Sequence, residues 1–222
     1  MEILEKIFGS AAKVKIMRLF LFSPGEMFDI ALVAKRTKSS PKTAAQEIKQ
    51  LEEISLLKSR IFSKEVWVTK KIRSKSRRGP NKGKVQLKKN KVMARVRGWT
   101  LNESFPYLKS LQGLLIHVSA FQPKELIKKV NRMGKIKLLL VAGVFTQNPD
   151  SRLDLLVVGD NIKKSAVETA AKNIEADLGR QITYSVFETA DFKYRLGMFD
   201  KLIRDVLDFP HQKLIDKIGI NW

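Results

Sequence analysis

The chain has 222 residues, enough for one large domain or two small ones, each able to bury a core of its own. Hydrophobic residues make up 44% and charged residues 29%, ordinary values for a globular protein, but the net charge of +21 calls for an anionic partner, nucleic acid first. The absence of cysteine excludes disulfides and thiolate metal sites. The N-terminus lacks the basic-then-apolar pattern of a signal peptide, and the longest apolar run, Leu138 to Val144, is too short to span a bilayer. No membrane association is expected, and cytoplasmic residence is the default expectation.

In chain order, Ser10 is a candidate N-cap for a helix over 10–22, with Ala11, Val14, Met17 and Leu21 at helical spacing. Ser23-Pro24-Gly25 stops it. Asp29 caps a short second helix whose apolar face is Ile30, Leu32 and Val33, and Thr37-Lys38-Ser39-Ser40 forms a turn. Ser40 and Pro41 suit the N-cap and first position of a third helix. There Ala44, Ile48 and Leu51 make a buried stripe, while Lys42, Thr43, Gln46, Lys49 and Gln50 fall on the other side, with Glu47 and Glu52 at the flanks. Two β-like runs follow, Lys58 to Thr69 and Lys91 to Thr100.

Between Lys70 and Arg97 stand 13 Lys or Arg in 28 residues and no carboxylate, leaving +8 on the other 194 residues. A solvated tail would carry such a run at a terminus, whereas this one is internal. Three short helices followed by a hairpin is the order of a winged helix, whose third helix enters the major groove. A plain helical bundle is the competing reading, and the polar face of the third helix weighs against it. The stretch Ser39-Ser40-Pro41-Lys42-Thr43-Ala44-Ala45-Gln46-Glu47-Ile48-Lys49-Gln50-Leu51-Glu52 resembles the recognition helix of arsenic-repressor-type winged-helix regulators. Gly98-Trp99-Thr100-Leu101-Asn102-Glu103-Ser104-Phe105-Pro106 is similar to the way their wing returns into a following helix. This resemblance implies double-stranded DNA as partner and Ser39, Ser40, Lys42, Thr43, Gln46 and Lys49 as its contacts. The wing departs from the family's tight hairpin by roughly twenty extra residues, an insertion at about 70–97, of a length usually functional or disordered. Its Lys70, Lys71, Arg73, Lys75, Arg77, Arg78, Lys82 and Lys84 are expected to clamp phosphates. Trp67 and Trp99 flank the segment, to stack on sugar or base or to anchor the hairpin.

A connecting helix over 102–122 carries Phe105, Leu108, Leu111 and Leu115, a stripe for core packing or a dimer seam. The second half then reads as a strand over 135–145, a strand over 152–160, a helix over 162–178, a strand over 181–187 and helices around 191–207. Ser151-Arg152-Leu153-Asp154-Leu155-Leu156 resembles the Ser-Asp-hydrophobic-Asp-Leu-Leu pattern of polymerase-beta-type minimal nucleotidyltransferases. In that family, paired aspartates make a hard-oxygen site for magnesium. Here Arg152 stands where the resemblance implies the first aspartate, and Val144 where it implies the serine of the Gly-Ser pair. Catalysis is therefore expected to be lost, with Gly143, Arg152 and Asp154 left as a ligand pocket or, failing that, as scaffold. His117 and His211 are isolated and read as structural.

The expected fold class is α+β: an N-terminal winged helix-turn-helix with an extended basic wing over 1–101, the connecting helix, and a small α/β nucleotidyltransferase-like domain with a mixed sheet over 123–222. The expected function is a DNA-binding transcriptional regulator, a homodimer without cofactor. The alternatives are an active nucleotidyltransferase acting on RNA or protein, with magnesium held by Asp154, and an RNA-binding protein, since basic charge alone does not distinguish the two duplexes.

Overall fold

The computed structural model describes residues 3–73, 85–117, 123–148 and 150–219. After a short α1 (Ile3–Ile7), each of the next three helices begins where a side chain takes over an orphan amide. Ser10 accepts from the Lys13 N–H at the start of α2 (Ala11–Phe22), and Asp29 from the Leu32 N–H at the start of α3 (Ile30–Thr37). Ser40 accepts from the Thr43 N–H to open α4 (Pro41–Glu53), with Pro41 in its first turn. These are the three helices that the spacing predicts. Val14, Met17 and Phe20 of α2, Val33 of α3 and Ala44, Ile48 and Leu51 of α4 share one core.

Strands β1 (Leu57–Arg73) and β2 (Val85–Leu101) pair antiparallel without a break from Leu57↔Leu101 to Arg73↔Val85. The sequence predicts a long loop from about Lys70; instead 70–73 and 85–90 continue the strands. A ladder satisfies the amides and carbonyls that an extended loop would leave to water. At 17 residues a side, the ribbon reaches about 55 Å. Leu57, Trp99 and Leu101 at its root are buried, and Phe28 pairs with Trp99 through a single bridge.

In place of one connecting helix, the chain makes α5 (Leu108–Gln112) and a π turn at Gly113–His117. Leu115 is fully buried, and Phe105, Leu108, Leu111 and Ile116 pack half-buried on the first core, so the apolar stripe is core here. Helix α6 (Pro123–Val130), which the sequence reading does not anticipate, leads into β3 (Lys135–Val141). A short 3-10 turn (Gly143–Phe145), β4 (Leu155–Asp160), α7 (Lys164–Leu178) and β5 (Tyr184–Glu188) follow. Helices α8 (Thr189–Gly197) and α9 (Lys201–Asp208) precede an unanticipated β6 (Gln212–Asp216). The sheet order is β5-β4-β3-β6, with β4 and β5 parallel and the other pairs antiparallel. The fold is thus α+β with a mixed sheet. The central runs 138–141 of β3 and 155–158 of β4 are apolar because both faces are covered. Leu139, Val141, Leu155 and Val157 meet Val167, Ala170 and Ile174 of α7, while Leu138, Leu140, Leu156 and Val158 meet Phe192, Ile203 and Val206 of α8 and α9. Among the described residues, no helix is long and apolar enough to cross a membrane.

The two halves meet where α2 lies on the C-terminal end of α7. Arg18, 2% exposed, donates from Nε to the Leu115 carbonyl at 3.1 Å and from Nη1 to the Asp177 carbonyl at 3.0 Å. The Asp177 carboxylate pairs with Lys15 at 2.8 Å and with Lys129. Burial alone would raise the Asp177 carboxyl; the hydrogen bonds from Lys129 and Lys15 outweigh it and hold the group below its ordinary value. Gly179 ends α7 at φ 83, and a Cβ there would stand 2.6 Å from the backbone of Arg18 and Leu19. Gly179→Ala therefore meets both a left-handed backbone and the α2 main chain, and should cost about 1–3 kcal/mol, read as a lowered urea midpoint.

Candidate nucleic-acid interface

Helix α4 has a 3.6-residue period, so burying Ala44, Ile48 and Leu51 leaves Lys42, Gln46, Lys49 and Gln50 exposed, with Thr43 half-exposed beside them. Its carboxylates are largely turned away from that face. Glu47 is buried against Lys13 at 3.4 Å, and Glu52 is drawn toward the hairpin; only Glu53 is exposed, 3.8 Å from Lys49. Ser40 holds the Thr43 amide and hydroxyl, and the Ser39 hydroxyl sits 2.8 Å from that of Thr37. Both serines thus build the turn between α3 and α4, in which Lys38 takes a left-handed conformation with φ 51.

The ribbon is tied to this unit on both faces. Lys64 pairs with Asp29, the N-cap of α3, at 2.9 Å. On the other face Glu52 accepts from Arg97 at 2.8 Å and from the Trp99 indole N–H at 3.0 Å. Hydrogen bonds from Ser59 first, then Trp99 and Arg97, hold the Glu52 carboxyl below its ordinary value. Of the ribbon's two tryptophans, Trp99 is buried as an anchor, whereas Trp67 is 66% exposed with the Lys91 ammonium 5.5 Å above its ring. Strands β1 and β2 together carry eleven Lys or Arg and one carboxylate, Glu65. Lys70, Lys71 and Arg73 lie on the outer part of β1, while Lys75, Arg77, Arg78, Lys82 and Lys84 fall outside the described residues.

In the other half, Gly143 and Asp154 come together and Arg152 leads away. Asp154 precedes β4 rather than lying on it, and it is 8% exposed. Its Oδ1 accepts from the Val144 N–H and its Oδ2 from the Thr183 N–H, each at 2.8 Å. Gly143 has φ 53, and a Cβ there would run into Oδ1. The carboxylate ties the turn after β3 to the approach of β5, a charge-assisted backbone clamp. Arg152 lies 3.2 Å from Asp205 of α9, so the three residues do not line one pocket. A cavity of about 380 Å³ lies elsewhere, between the start of α7 and edge strand β5, with Ile162, Val167, Tyr184 and Val186 as its apolar wall and Lys164 and Glu168 at its polar edge. Nothing in the sequence marked it, because its lining comes from segments twenty residues apart. Among the described residues, no three His, Cys, Asp or Glu side chains gather as a metal site.

Compared with known proteins, the chain matches no family model, no curated protein and no solved structure.

Two measurements test these assignments. Asp154→Asn places an amide N–H₂ against a backbone N–H and should cost about 1–3 kcal/mol in urea unfolding, with the wild-type midpoint unmoved by magnesium. Glu52, depressed in the folded state, contributes its full stability above its ordinary 4.5 and loses it as pH falls through the lower folded value. Acid titration followed by tryptophan emission should therefore show the hairpin root loosening as pH falls below the ordinary 4.5, a component absent from Glu52→Gln.

Proposed function

We propose that the chain binds double-stranded DNA as a transcriptional regulator, with α2, α3, α4 and the β1–β2 hairpin acting as a winged helix. The observation that carries this reading is the pairing of two surfaces. One is an α4 face of Lys42, Gln46, Lys49 and Gln50, the residue types that reach base edges and phosphates. The other is a ribbon with eleven cations to one carboxylate, tied through Glu52 to the same helix. In this reading α4 enters the major groove and the ribbon follows the backbone, so the helix specifies and the wing adds affinity. The resemblance of the 39–52 stretch to arsenic-repressor-type regulators supports it. The C-terminal half serves as a nucleotidyltransferase-like scaffold for sensing or assembly, and two copies bind a palindromic site.

Selection from a random duplex library at about 150 mM salt tests the reading. The intact chain is compared with one whose hairpin is closed by Asn-Gly after Val68↔Asn90, a register-preserving cut. A consensus shared by both, bound more weakly by the short form, is the expected result. Enrichment by neither would remove the DNA assignment. With six to ten phosphates neutralised, affinity should fall about 10³–10⁵-fold between 50 and 200 mM salt, and a flat profile would refute the clamp.

A further inference from the structure

We infer that the Trp67–Met93 patch midway along the ribbon is a wedge that kinks duplex DNA about one helical turn from the segment held by α4; this rests on the DNA-binding reading above. Of the thirteen exposed large apolar side chains of the described residues, four stand together midway along the ribbon: Trp67, Val68, Val92 and Met93. Trp67 and Met93 are 66% and 65% exposed. The register sets Trp67 opposite Lys91 and Met93 opposite Glu65, so the two are diagonal neighbours on one face. No third strand of the described residues pairs with this part of the ribbon.

An exposed indole and thioether side by side call for an occupant, and the charge selects it. Eleven cations against one carboxylate repel a second ribbon of the same kind and attract a polyanion. Two-stranded ribbons of architectural proteins lie in DNA grooves, the minor groove included. Apolar side chains at the minor-groove floor enter between base steps and kink the duplex by roughly 20–90°. Lys91, which covers the Trp67 ring, is held by Glu65 at 2.8 Å with both side chains more than half exposed. Such a pair is weakly held and yields to a phosphate, which uncovers the indole. Trp67 lies ten residues from the root at Leu57, a reach of about 33 Å. That is close to the roughly 34 Å of one turn of B-DNA.

The test uses the full chain and a duplex of about forty base pairs carrying fluorophores at its ends, with binding followed by anisotropy and bending by energy transfer. The wild type should raise the transfer, and circularly permuted duplexes should place the bend about ten base pairs from the segment protected by α4. The variant Trp67→Ala/Met93→Ala changes only surface side chains and keeps every cation. It should bind within about threefold of wild type while the duplex stays straight. Steep, salt-dependent binding by the wild type without a bend overturns the wedge and leaves the DNA reading standing. A bend equal in wild type and variant also overturns it. Failure to bind duplex DNA, or preference for an RNA duplex of equal length, removes both, and loss of self-association in the variant would assign the patch to a second copy instead.

Discussion

The buried guanidinium of Arg18 is the point on which the arrangement of the two halves depends. A cation at 2% exposure has to find acceptors inside the protein, and two backbone carbonyls supply them, one from the π turn at Leu115 and one from the end of α7 at Asp177. Three segments distant in sequence are thereby fixed to one planar group. Lys15 and Lys129 on the Asp177 carboxylate, and Lys38 on Asn173, extend the seam along α7. Because α4 packs on α2 and α3, it too is held relative to the mixed sheet through a joint of hydrogen bonds and ion pairs.

Charge is sorted by the same packing. The helical period that buries Ile48 and Leu51 also swings Glu47 inward to Lys13, and Glu52 is drawn off by the hairpin root. What stays exposed on α4 is mainly amide and ammonium. On the ribbon, alternation sets Lys58, Arg60 and Lys64 on one face and Lys91, Arg95 and Arg97 on the other, and among these described residues Glu65 is the one carboxylate of the strands. An anion approaching this unit meets few competing carboxylates. In the C-terminal half a carboxylate that looked chemical, Asp154, is spent on two backbone amides.

Much of the N-terminal unit was legible because its signals are local. Ser10, Asp29 and Ser40 cap where their spacing to the apolar stripes says they should, and Ala44, Ile48 and Leu51 face the core. The full length of β1 and β2 was not legible: a lysine-rich stretch has no β-branched run to announce a strand, and the ladder there follows from a register set at the root. Helix α6 has eight residues, and β6, Gln212–Asp216, is a half-exposed edge strand, so neither carries enough pattern to stand out. The roles of Glu52 and Asp154 were hidden for another reason. The partners of Glu52 lie 45 and 47 residues away, and those of Asp154 are main-chain amides, which a sequence does not display.

The ribbon's geometry carries a cost that its composition offsets. Two strands about 55 Å long expose two outer edges of unpaired amides and carbonyls, the kind of template on which other chains add strands and fibres grow. Its exposed Ile61, Trp67, Val92 and Met93 would favour such stacking. The lysines and arginines along both strands oppose the approach of a second copy to either edge, so the net charge works against strand addition between ribbons.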